Sequence, residues 1–174
     1  MTASPPVLDQ PAQPAPGPAT ARGVQPLTAL TPIIPGRRQQ LQQVLAAVRE
    51  RIASGGPTPL DLIGTVHFAR WVVLPDDQDG GHLLFTSNFD GPWDTYIEDF
   101  AAQSADSFDA IYSNCQGWPK DGARDVAAFK AFVRRSEVPS DVYYRAYPTA
   151  TVQQVRAALK LKATMNTLLD VLNE

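Results

Sequence analysis

Apolar positions along the chain change their period several times, and each change marks an element. Residues 27–35, LTALTPIIP, form a β-type run rich in Leu, Ile and Thr. Pro32 within it predicts an edge strand, because proline offers no ladder N–H. After Pro35-Gly36, Leu41, Val44, Leu45, Val48 and Ile52 recur at helical spacing until SGGPTP at 54–59 stops them, predicting an amphipathic helix. The run LIGTVHFARWVVLP at 62–75 is too β-branched and aromatic for a helix. With the turn cluster DDQDGG and the second apolar run HLLFTSNF it reads as a hairpin. From Trp93 the period becomes about 3.6: Trp93, Ile97, Phe100, Ser104, Phe108 and Ile111 share a face, and Asp94, Glu98 and Asp99 lie early, where the helix dipole favours them. A break is expected after Gln103. Beyond NCQGWPKDG a shorter helix carries Val126, Phe129, Phe132 and Val133. DVYYRAYP at 141–148 then reads as a fourth strand, and residues 151–172 repeat Leu161, Met165, Leu168 and Leu172 as a last amphipathic helix.

Without the extra helices the order is strand, helix, strand, strand, helix, strand. That order predicts an α+β fold, the ferredoxin-like split βαβ with a four-stranded antiparallel sheet and helices on one face. The hairpin's first strand is apolar at both parities, with Phe68 and Val72 on one side and Trp71 and Val73 on the other. The second face therefore needs a cover, either the last helix or a second copy of the chain. On the hairpin's second strand Leu83, Phe85, Ser87 and Phe89 form the greasier face and Leu84, Thr86, Asn88 and Asp90 the more polar one. One cross-strand register sets Arg70 and Phe68 beside Asn88; a slip of one residue sets His67 and Trp71 there instead.

Composition narrows the setting. Residues 1–26 hold seven of the sixteen prolines and almost no bulky apolar side chains, so a disordered Pro-rich tail is expected there, followed by a single domain over 27–174. A net charge of −3, from 15 basic and 18 acidic residues spread along the chain, gives no basic block to neutralise phosphates, and nucleic acid is not an expected partner. Cys115 is the single cysteine and His67 and His82 the only histidines, which leaves no Cys/His zinc spacing and no internal disulfide. No apolar run reaches the roughly 18 to 20 residues that cross a bilayer, and no secretory signal pattern opens the chain; a cytoplasmic protein without a membrane partner is expected.

The element order, with HFARWVVL followed by LLFTSNFDGPWDTYIEDF, resembles the dimeric α+β barrel superfamily over residues 27–148. That group includes antibiotic-biosynthesis-type monooxygenases, chlorite-dismutase-like and dye-decolorising-peroxidase-like haem proteins, and stress-responsive barrel proteins. The resemblance implies a homodimer with a small organic ligand at the sheet, and cofactor-independent oxygenation as its chemistry. A non-catalytic interaction module is the alternative. Haem-binding relatives imply a histidine ligand in the later helices, and residues 93–174 contain none, so haem is not favoured and no cofactor is assigned.

Four residues are candidates for ligand binding. Arg70, in mid-strand among apolar neighbours, needs a carboxylate, solvent or an anionic ligand to satisfy it. His67 reads either as a general base or metal ligand, or as a satisfied core or rim residue. Asn88 and Asp90 sit at the strand-to-helix corner, where they either cap the next helix, with Pro92 near its first position, or touch a ligand. Cys115 has no cationic neighbour within four residues to lower its pKa and reads as inert. Trp118, Tyr143, Tyr144 and Tyr147 read as core, with pocket or interface lining as the alternative.

Overall fold

The hairpin's alternating residues build the centre of the sheet. The computed structural model of the chain describes residues 23–75 and 80–172; residues 1–22 of the tail expected over 1–26, the turn residues 76–79 and residues 173–174 lie outside the described residues. Strands β1 (Val24–Pro32), β2 (Val66–Val73) and β3 (His82–Asp90) form a sheet in the order β1-β3-β2, with both pairings antiparallel. β1 and β2 therefore run parallel on either side of β3. Helices α1 (Arg38–Ala53) and α2 (Pro59–Ile63) form the crossover between them. Val24, Gln25 and Pro26, which their composition assigns to the tail, belong instead to β1, opposite Asp90, Phe89 and Asn88.

Two helical expectations are corrected. α2 falls within a stretch read as a helix stop and strand start, although its signal is present: Thr58 and Asp61 form a capping box around Pro59 at the first position. α3 runs unbroken from Trp93 to Tyr112, because Ser104 and Ala105, at the expected break, are small residues buried against the rest of the fold. A 3-10 turn (Gly122–Arg124) leads into α4 (Val126–Ser136), where Asp125 caps the Ala128 N–H at 3.0 Å. The chain continues to α5 (Val152–Leu172).

The core lies between one sheet face and α3. Leu27, Ala29, Leu83, Phe85 and Phe89 meet Tyr96, Ile97, Phe100 and Phe108, and each large side chain so buried contributes about 1.5–3 kcal/mol. Phe89 and Tyr96 stack with ring centres 3.7 Å apart. The Tyr96 hydroxyl donates to Ser87 Oγ at 2.6 Å, so both polar groups are paired within the core.

The expected fourth strand at 141–148 is not formed, and the sheet has three strands among the described residues. Its place beside β1 holds a single bridge, Ala29 with Glu137, and one bond from Val138 N–H to Thr28 O at 2.8 Å. Pro139 follows, lacks an N–H, and ends the ladder. At and just past the end of β1, Gln116 N–H donates to Pro32 O at 2.8 Å and Ile34 N–H to Asn114 O at 2.9 Å. Two short segments thus cover an edge that would otherwise invite pairing with another chain.

Two measurements test these placements. Cys115 is buried, and desolvation pushes its thiol pKa up to about 12; at pH 8 it should react with a disulfide reagent at least about a hundredfold more slowly in the native protein than in denaturant. Burial raises the Glu137 carboxyl above its ordinary value, against the opposing pull of Arg134. Its ionised form is therefore less favourable in the folded than in the unfolded chain, and stability is lost as pH rises through the carboxylate range. Glu137→Gln should raise Tm by about 1–2 °C near pH 7, a gain that shrinks toward zero below about pH 4.

Candidate functional site

β2 and β3 pair with Phe68 opposite Asn88 and Arg70 opposite Thr86, which puts these four residues on the face away from the helices. A bulge between Val66 and Phe68 interrupts the ladder, and His67 is its extra residue. Bulges re-aim side chains. Here His67 Nε2 meets Asp90 Oδ1 at 2.9 Å, with the two side chains only 6% and 11% exposed. The Asp90 N–H donates to Thr65 O at 2.9 Å, which fixes the backbone behind the carboxylate. With the carboxylate as acceptor, Nε2 is the donor nitrogen of this pair.

The second oxygen of Asp90 accepts the Val152 N–H at 2.7 Å, at the first residue of α5. One carboxylate thus joins the bulged strand to the last helix. The capping expected of Asn88 and Asp90 is not found: Pro92 precedes α3 with no side-chain cap. Asn88 Nδ2 instead donates to the Tyr143 hydroxyl at 3.0 Å. Arg70 does not pair with Asp90, which His67 already occupies; its Nε donates to Thr86 Oγ1 at 2.9 Å on the exposed part of the sheet.

The segment 141–148 crosses this outer face instead of adding to the sheet edge. Arg145 donates to Val24 O at 3.2 Å and lies 5.8 Å from the centre of the Tyr143 ring. Gly23, at φ +93°, packs so closely on Pro148 that a Cβ would collide with its carbonyl oxygen. Between the segment and the sheet lies a cleft of about 250 Å³, lined by His67, Phe68, Asn88, Tyr143, Tyr144, Arg145 and Tyr147. It brings together two of the four sequence candidates, His67 and Asn88. Asp90 stands behind it through His67, and Arg70 lies outside it. Arg145 was not anticipated, although it carries the same signal as Arg70: a cation set within an apolar and aromatic run.

The cleft combines aromatic surfaces, an amide, an imidazole held by a carboxylate, and a guanidinium with no carboxylate partner among the described residues. Those groups suit a planar organic molecule bearing an acceptor or anionic group. Among the described residues no three His, Cys, Asp or Glu side chains gather as a metal site requires, and no helix is long and apolar enough to cross a membrane.

Asp90→Ala removes the acceptor from both His67 and Val152. It should cost about 1–3 kcal/mol in urea unfolding and speed amide exchange in the first turn of α5, whereas Arg70→Ala should stay within about 0.5 kcal/mol. Comparison of the chain with protein-family models, with curated proteins and with solved structures yields no match, and the site is read from its own chemistry.

Proposed function

We propose that the chain is a small-molecule-binding α+β domain, a homodimer of the dimeric barrel type, whose ligand lies in the cleft between the outer sheet face and residues 141–148. One observation carries this reading. On a face with Phe68 65% exposed, a segment without regular structure is held so that Asn88, Tyr143, Arg145 and the His67–Asp90 pair converge on one aromatic-lined space. The ligand class is a planar aromatic compound with a carboxylate or phenolic oxygen, the ring against Phe68 and the tyrosines and the oxygen toward Arg145 and Asn88. A proton-transfer step at such a ligand, as cofactor-independent oxygenation requires, falls to His67, oriented by Asp90 as a base is oriented by its carboxylate.

Support for the ferredoxin-like, dimeric part comes from topology. The order β1-β3-β2 leaves the outer flank of β1 to a fourth element, and residues 137–138 sit there in antiparallel sense. Exposed Phe68 and Val72 suit a second sheet packed face to face. A second reading, an interaction module, is favoured by α5, where Leu161, Met165, Leu168 and Leu169 are all more than half exposed.

Native mass spectrometry of the full chain, with 4-hydroxybenzoate as probe, separates the two. The binding reading expects a dimer that retains one probe per chain, with retention reduced about tenfold or more by Asn88→Ala and by Arg145→Ala. A monomer indifferent to the probe, or unchanged retention in both variants, would remove it.

A further inference from the structure

The two edges of the sheet end differently. Leu74 N–H donates to His82 O at 2.9 Å, so at alternate residues Val72, Arg70 and Phe68 turn their backbone groups toward β3. The residues between them, Ala69, Trp71 and Val73, turn theirs outward. On β1 the outward carbonyls are met: Val24 O by the Arg145 guanidinium, Thr28 O by Val138 N–H and Pro32 O by Gln116 N–H. On β2 the outward N–H and C=O groups of Ala69, Trp71 and Val73 have no partner among the described residues. An edge left open in this way is a template for another strand.

Space for a strand lies beside it. α1 is pinned at its start, where Leu41 is buried and Arg38 donates to Leu74 O at 2.6 Å, and by Ile52 the helix is 52% exposed. Between α1 and the β2 edge runs an open groove of about 630 Å³, lined by Leu45, Arg49, Ile52, Ala69, Arg70 and Val73 among others. Its charge is one-sided. Arg49 on α1 and Arg70 on β2 both border it, and among the described residues no Asp or Glu does and neither arginine has a carboxylate partner. The same charge opposes self-pairing: when β2 is centred on β2 of a second copy, Arg70 stands opposite or diagonal to its own counterpart, and like charges so placed destabilise the pair. A strand carrying a carboxylate there is favoured instead.

We propose that residues 69–73 of β2 accept an extended, acidic peptide of a partner protein as an added strand, with a carboxylate opposite Arg70 and the alternate, apolar side chains in the groove beside α1. Ladder bonds to Ala69, Trp71 and Val73 supply affinity, while the two arginines and the groove select the sequence. No residue lining this groove lines the sheet-face cleft, so the two sites stand or fall separately.

Titration of the full ¹⁵N-labelled chain at low salt with the pentapeptide acetyl-Thr-Val-Glu-Val-Thr-amide tests the assignment. With its glutamate opposite Arg70, the two valines lie opposite Ala69 and Trp71 and direct their N–H groups at β2. The backbone amides of Ala69 and Trp71 should shift saturably and exchange more slowly with solvent. N-methylation of both valines removes the ladder donors and should abolish the shifts. Lysine in place of the glutamate should weaken binding about threefold or more, and Arg70→Glu should reverse that preference. Arg49→Glu should narrow the preference, and it takes the place of the first variant if that one loses its native amide spectrum. Amides that do not move, shifts that survive N-methylation, or a preference unchanged in the variants overturns the proposal. So do shifts of the same amides with protein concentration alone, which make a second copy the occupant.

Discussion

Strand β3 is hydrogen-bonded along both edges, and its strict alternation governs everything attached to it. Leu83, Phe85, Ser87 and Phe89 face the helices and are buried, while Leu84, Thr86, Asn88 and Asp90 face the other way. Because the side-chain period is two, a slip of one residue would expose the aromatic set and bury the polar one, so the register is strongly specified. The aromatic cluster on α3 exists only because that register presents Phe85 and Phe89 to Phe100, Phe108 and Tyr96. The polar face, for the same reason, is available for chemistry.

Asp90, the last residue of β3, extends this control beyond the sheet. Its carboxylate holds the bulged His67 with one oxygen and the start of α5 with the other. The position is structurally demanding and chemically useful at once: the pair that anchors the helix also fixes the imidazole beside the aromatic cleft. Residues 141–148 close the arrangement from outside through Asn88–Tyr143 and Arg145–Val24. They lie over the outer sheet face at Asn88 and Val24 and leave Phe68 largely exposed.

Much of this was legible in the sequence. The helical spacing of Leu41 to Ile52, the hairpin, the long period from Trp93 and the final helix all appear where the pattern puts them. The fourth strand was misread because DVYYRAYP has strand composition, and strand composition reports apolar surface seeking cover without saying whether an edge or a face supplies it. The choice between His67 and Arg70 as the neighbour of Asn88 was misposed for a related reason. A bulge lets Arg70 keep the outer face while His67 turns to Asp90, and no local residue preference announces it.

What the sequence determined by itself is the set of elements and their two-sidedness, since both follow from the spacing of apolar residues along a few consecutive turns or pleats. Tertiary structure alone decided where unpaired polar groups find partners. Asp90 reaches His67 and Val152, and Asn88 reaches Tyr143, because those outcomes depend on which distant segment the packed core brings within about 3 Å.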